Sequence, residues 1–343
     1  QPQAGQARTS RSVTSPRQEQ LAQAPFGDPA VYIETRYARQ ALLFDLGDIT
    51  ALGEAKTLKL THVFISHAHI DHFCGFDYLL RVMLGRDRHL RFYGPPGITA
   101  HIAGKLSGYT WNLVRDYPLR LSVGEIHPGR IDCTMFTCAQ QFASEAAGHR
   151  PFEDVVEETP HFTVRAVRLD HGIPSLAFSL EERFHINILS PRLQEKGYAT
   201  GPWLKELKEL LWQGHPDDRT VSVPRLDEES APAEVPLGEL KKEIVAVTAG
   251  QRIAYVADCS YSADNVDKIA GLARAADIFF CEAAFLEKDR EKARAKEHLT
   301  ARQAGLIARS AGVKAFTPFH FSPRYQGLEE ELEREAQEAF REG

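Results

Sequence analysis

Hydrophobic positions along this 343-residue chain fall into short runs separated by longer segments with helical spacing. Ala30-Val-Tyr-Ile-Glu-Thr35 and Gln40-Ala-Leu-Leu-Phe-Asp45 read as paired strands ending at Leu46-Gly-Asp48. Strand patterns recur at 121–127, 131–136, 161–169 and 175–181. Glu243-Ile-Val-Ala-Val-Thr248 and the run 252–257 flank Ala249-Gly-Gln251, the pattern of a hairpin. Helical spacing marks 75–84, 100–114, 264–274, 285–297, 300–311 and 327–341. Strand-rich halves that each lead into helices predict an α/β fold, an αββα sandwich with two sheets face to face and helices outside.

One strand stops at unusual chemistry. Thr61-His-Val-Phe-Ile-Ser66 runs directly into His67-Ala-His69-Ile-Asp71-His72. Alternate residues leaving a strand project to one side, so His67 and His69 can share a cation. Asp71 and His72 lie past the turn and suit a second, adjacent metal. A His-rich surface loop or a single structural zinc are the simpler alternatives. Further ligands must come from elsewhere. Hydrophobic runs end at His171 (Val164 to Ser175), at Asp258 (Arg252 to Ser260) and at His320 (Val313 to Tyr325), each followed by small or turn-forming residues. Imidazoles and carboxylates without thiolate suit zinc first, with manganese or iron also compatible. The five cysteines (Cys74, Cys133, Cys138, Cys259, Cys281) form no Cys-x-x-Cys pair. Cys74 and Cys259 are expected to pack as small hydrophobes. No Gly-x-Ser-x-Gly, phosphate loop or dinucleotide fingerprint occurs.

From about Phe26 to Tyr325 the chain resembles the metallo-β-lactamase-fold hydrolases, and within them the ribonuclease Z branch. The loop His67 to His72 matches the superfamily motif. His171-Gly-Ile-Pro-Ser, Tyr93-Gly-Pro-Pro-Gly97 and His320-Phe-Ser-Pro-Arg-Tyr are closer to the branch itself. Glu297-His298-Leu-Thr-Ala301 resembles an element that carries a catalytic histidine outside the metal shell, although 300–309 also reads as a plain helix start. The resemblance implies a dinuclear zinc centre: His67, His69 and His171 on one ion, Asp71, His72 and His320 on the other, Asp258 bridging. It implies a metal-bound hydroxide as nucleophile, oriented by Asp71, with His298 as general acid. The implied substrate is an RNA phosphodiester, precursor tRNA with a 3′ trailer or something smaller, and the implied assembly a homodimer. Hydrolysis of a small ester, lactone or sulfate ester is the alternative, and a non-catalytic binding scaffold a third reading. One segment departs from the branch. Phe44-Asp-Leu-Gly-Asp-Ile-Thr50 stands where it carries Phe-Asp-Cys-Gly-Glu-Gly-Thr-Gln, so Asp45 and Gly47 remain while the Glu-Gly-Thr-Gln portion does not.

Ligands spread from 67 to 320 favour one catalytic domain over 25–343, with a surface insertion near 182–238. Within that insertion 213–238 is proline-rich and irregular. Residues 195–212 resemble the branch's Gly-Pro region near its tRNA-gripping arm. They also read as an ordinary amphipathic helix with Leu204, Leu207 and Leu211 on one face. Residues 1–24 are polar and predict a disordered tail without the apolar core of a secretory signal. A formal charge of −6 argues against gripping RNA by bulk phosphate neutralisation. No run approaches the roughly 18 apolar residues of a membrane span. An odd number of scattered cysteines fits a reducing cytoplasm.

Overall fold

The computed structural model describes residues 18–21, 26–35, 40–227 and 229–342. The chain divides into two compact units, 1–151 and 152–343.

The first unit is built on an eight-stranded sheet whose strands lie in chain order. Gln18–Leu21, Val31–Thr35 and Gln40–Phe44 pair antiparallel. Gln40–Phe44, Leu60–Phe64, His89–Gly94 and Arg120–His127 then run parallel. Arg130–Thr137 and Ser144–Pro151 complete the sheet antiparallel. Leu42, Leu43, Phe44, Val63, Phe64 and Ile65 are all fully buried. Continuous apolar runs of this kind are what parallel strands covered on both faces require. The helix Phe76–Met83 buries Phe76, Leu79, Leu80 and Met83, a stripe at helical spacing that joins the sheet residues in one core. The next helix, Ile98–Ser107, is shorter than the spacing over 100–114 predicts. The Trp111 indole donates to the Leu106 carbonyl and closes the last turn there.

Two strands depart from the polar reading of their sequences. Gln18–Leu21, inside the expected tail, pairs with Val31–Thr35, while 1–17 and 22–25 lie outside the described residues. Ser144–Pro151 has no apolar alternation and is almost wholly exposed. Main-chain hydrogen bonds to an existing sheet edge hold both, and these bonds carry no hydropathy signal.

The second unit carries a six-stranded sheet in the order Phe316–Phe319, Ile278–Glu282, Arg252–Val256, Pro174–Glu182, Phe162–Asp170, Val155–Glu158. The first three strands run parallel, the others antiparallel. The hairpin expected across 249–251 does not form. Val245–Ala249 pairs with Phe184–Ile188 in a separate ribbon, and Arg252–Val256 enters the main sheet. The chain crosses between them at Gly250, where a Cβ would lie 2.0 Å from the Glu182 carbonyl oxygen. The proline-rich segment also contains regular structure: Thr220–Val223 pairs with Ala233–Pro236 and leads into the helix Leu237–Glu243. The helix Trp203–Trp212 buries Trp203, Leu207 and Leu210, so its two indoles turn the buried stripe away from Leu204 and Leu211. Among the described residues no helix is long and apolar enough to cross a membrane.

His62 gives the first unit an acid-sensitive point. It is 4% exposed in the strand Leu60–Phe64. Burial, with Arg91 and His89 nearby, pushes its pKa down to about 3. The unfolded chain therefore takes up a proton near pH 6.5 that the folded strand refuses, so this site loses stability as pH falls below 6.5. At about 1.4 kcal/mol per unit, the loss between pH 6.5 and pH 5 is about 2 kcal/mol. Urea midpoints of the wild type and His62→Gln at those two pH values should show the variant losing that increment of acid sensitivity; equal shifts in both proteins would refute it.

Candidate metal centre

In the first unit the parallel strands Gln40–Phe44 and Leu60–Phe64 end side by side and deliver Asp45 and Ser66-His67 to one rim. Asp45 is fully buried and sits at φ +58°. Its Oδ1 accepts the Ser66 backbone N–H at 2.6 Å. Its Oδ2 accepts the Ser66 hydroxyl at 2.7 Å and lies 2.8 Å from His72 Nδ1. The hydroxyl proton is thereby committed to Asp45, so Ser66 Oγ accepts from His67 Nδ1 at 3.0 Å. Both imidazoles carry their proton on Nδ1, which leaves each Nε2 with a lone pair for a cation. His67 Nε2 lies 3.0 Å from His69 Nδ1, the convergence that a shared metal needs.

His69 stands just before the short helix Ile70–Phe73, so Asp71 and His72 lie on a helical turn rather than in an extended loop. Asp71 Oδ2 lies 3.6 Å from His72 Nε2. The segment Asp45-Leu-Gly47 clamps this turn: Leu46 N–H donates to the His72 carbonyl, and Gly75 N–H donates to the Leu46 carbonyl. A Cβ on Gly47 would stand 2.5 Å from the Asp71 carbonyl oxygen. Asp45 and Gly47 thus both support the segment from His67 to His72.

In the second unit Asp258 is the centre, 3% exposed just past the strand Arg252–Val256. His320 Nδ1 lies 2.7 Å from its Oδ1. His171 Nε2 and His298 Nδ1 lie 3.6 and 3.8 Å from its Oδ2. His171 Nδ1 donates to the Glu297 carbonyl at 2.7 Å, which again leaves the Nε2 lone pair open. Glu282 was missed by the sequence reading. It is fully buried, accepts the Cys259 N–H, and lies 2.9 Å from His298 Nδ1. Its signal was present, since Ile278-Phe-Phe-Cys-Glu282 is also an apolar run that ends in a carboxylate. Asp258, Glu282, His298 and His320 offer donor atoms within 4.8 Å of one another, close enough to hold an ion. Imidazoles with their outer nitrogens held by Asp45, Ser66 and a main-chain carbonyl are a donor set that fits divalent metals.

Burial alone would lower the His298 pKa, but the charge and hydrogen bond of Glu282, with Asp258, raise it above its ordinary value. His298 therefore keeps its second proton to a higher pH than an ordinary imidazole. Three thiols hold their protons more tightly than an ordinary cysteine. Burial and a hydrogen bond to Asp28 push Cys74 up to about 12, and its Sγ donates to Asp28 at 3.0 Å instead of only packing as a small hydrophobe. Burial likewise raises Cys259 and Cys281.

No family model matches the sequence. Ribonuclease Z of Bacillus velezensis is 30% identical over 311 residues, covering 88% of this chain and 85% of that protein. The chain belongs to the ribonuclease Z family. Ribonuclease Z of Deinococcus radiodurans is 28% identical over 325 residues, covering 92% of this chain and 93% of its own. The metallo-β-lactamase fold expected from the motifs is also found: a crystal structure of a protein with that fold from Bacillus subtilis superposes with TM-score 0.52 at 16% identity, over 92% of this chain and 86% of that one. Membership in the ribonuclease Z family makes this chain a metal-dependent hydrolase.

Asp45 receives three donors, and an amide oxygen cannot serve all of them. In Asp45→Asn, His72 loses its fixed tautomer and divalent-metal affinity should fall about 10–100-fold. Competition against a chromophoric chelator measures this; wild-type affinity in a folded variant would show that Asp45 does not orient the ligand.

Proposed function

We propose that this chain is a dinuclear zinc phosphodiesterase that releases 3′ trailers from precursor tRNA. His67, His69 and His171 would hold one ion, Asp71, His72 and His320 the other, with Asp258 between them. Each unit carries only part of that donor set, so both belong to one catalytic domain in this reading. Two such cations, when bound, supply a nucleophile at neutral pH and neutralise charge on the phosphate. Asp71 orients the attacking water through the carboxylate oxygen that does not ligate.

His298 is the observation that carries the reading. Its imidazole is held by Glu282 through Nδ1 and is biased toward the protonated form. That leaves Nε2 to give a proton to the departing ribose 3′-oxygen, a poor leaving group that needs one. Esters and lactones with good leaving groups have no use for such an acid, which sets the ester-hydrolase alternative second. Names of relatives support RNA as the substrate class, since proteins covering most of this chain are called ribonuclease Z. A different role for His298, as a metal ligand beside Asp258, Glu282 and His320, is the competing assignment.

Purified enzyme should release trailers from a precursor tRNA and hydrolyse bis(p-nitrophenyl) phosphate. His298→Ala should lose about 10²–10⁴-fold in kcat on the RNA, far less on the nitrophenyl ester, and keep its metal. Loss of metal in that variant would make His298 a ligand. A metal-loaded wild type that leaves the trailer intact would overturn the RNA assignment.

A further inference from the structure

Beside His298 the second unit opens a cleft of about 480 Å³ whose walls include Tyr261, Arg290, Arg294 and Arg302. Tyr261 is 46% exposed, three residues past Asp258. Its loop is held firmly from below. Asn265, fully buried, donates to the carbonyls of Asp170 and Ser260 and accepts the Asp170 N–H. Ser260 N–H donates to the Asp170 carbonyl, and Ser262 caps the following helix through Asn265 N–H. An exposed ring on a pinned loop is a preformed stacking surface with little ordering entropy left to lose on binding.

The arginines differ in how far they are committed. Arg290 pairs with Glu287, which also accepts the Thr300 hydroxyl. Arg302 meets Glu342 at 3.6 Å with both side chains largely exposed, a pair that solvent screens and a phosphate can displace. Arg294 makes no ion pair among the described residues. Glu287, Glu291 and Glu297 line the same cleft and balance the three arginines. Charge so divided suits one phosphate held by one or two guanidiniums, not a run of backbone.

We infer that this cleft binds the nucleotide on the 5′ side of the scissile bond, its base stacked on Tyr261 and its own phosphate held by Arg294 and Arg302. The inference rests on the phosphodiesterase reading above, because the group that His298 protonates is the 3′-oxygen of that nucleotide. The cleft that adjoins the acid is where its sugar and base must lie.

The test uses the full, metal-loaded chain and two probes: trailer-bearing precursor tRNA for kinetics, and a short labelled single-stranded RNA ending in a free 3′-hydroxyl for equilibrium binding. Tyr261→Ala should weaken oligonucleotide binding and raise KM by roughly 5- to 150-fold, the span of one base–aromatic stack, and Tyr261→Phe should restore both. Arg294→Ala should weaken binding and flatten a salt dependence that in the wild type has a slope of only about −0.7 to −1.4. Turnover of bis(p-nitrophenyl) phosphate, which presents no base, should stay within about twofold of wild type throughout. The inference is overturned if Tyr261→Ala and Arg294→Ala both bind the oligonucleotide as wild type does, or if Tyr261→Ala loses the nitrophenyl ester as fully as the RNA. Should the wild type leave precursor tRNA intact, the functional reading fails separately, and oligonucleotide binding alone decides the cleft: a wild-type affinity lost on Tyr261→Ala upholds it, and no difference ends it.

Discussion

A carboxylate buried at the end of a strand organises each unit. An ionised carboxyl removed from water is very costly unless hydrogen-bond donors surround it. Asp45 meets that demand with the Ser66 N–H, the Ser66 hydroxyl and the His72 ring. Because those donors are spoken for, the protons of His67 and His72 are fixed on one side and their lone pairs on the other. Asp258 presents the same constraint in the second unit, ringed by His171, His298 and His320. In the first unit the orientation of the His67 and His72 rings thus follows from satisfying the buried charge of Asp45.

Half of the left-handed non-glycine residues among the described residues lie at the same places, while Gln141, Phe142 and Ala275 lie elsewhere. Asp45, Glu297 and His320 sit at φ +58°, +58° and +59°, in the left-handed region that side chains with a Cβ rarely adopt. Each such residue costs on the order of 1–3 kcal/mol and persists only where its surroundings over-determine it. Here the surroundings are specific. Asp45 is held by its donors, Glu297 by the His171 ring on its carbonyl, and His320 by Asp258. At Asp45 and His320 the chain turns sharply just past a strand, which lifts the side chain off the sheet. Gly47 does the complementary task by leaving space for the Asp71 carbonyl.

The motifs made the fold family legible and singled out seven expected ligands, because ligand-type residues at the ends of apolar runs are rare enough to stand out together. Glu282 and Asp45 obey the same rule, yet neither was read as part of the chemistry. A single carboxylate after a strand is common, and only its neighbours in space reveal its work. Local pattern failed where pairing was non-local. Val245–Ala249 and Arg252–Val256 look like a hairpin, but what separates them is a crossing at Gly250 that depends on the distant Glu182 carbonyl. Ser144–Pro151 failed for another reason: a strand held by main-chain bonds at a sheet edge, with both faces in solvent, has no hydropathy to read.

Glu282 also sets the surroundings of His298 apart from those of its neighbours in the second unit. His171 Nδ1 donates to the neutral main-chain carbonyl of Glu297. His298 faces a buried carboxylate instead, at 2.9 Å, and the low dielectric around Glu282 strengthens that attraction while burial works against it. Asp258 adds to the pull on His298, but that contribution is shared with His171 and His320 and would be spent on any cation they hold. The charge that keeps a proton on His298 must then come from Glu282, which binds the main chain at Cys259 through its other oxygen and cannot swing away. On the proposed assignment, the division of labour between ligand and acid would follow from what each imidazole touches through Nδ1, a main-chain carbonyl in one case and a carboxylate in the other.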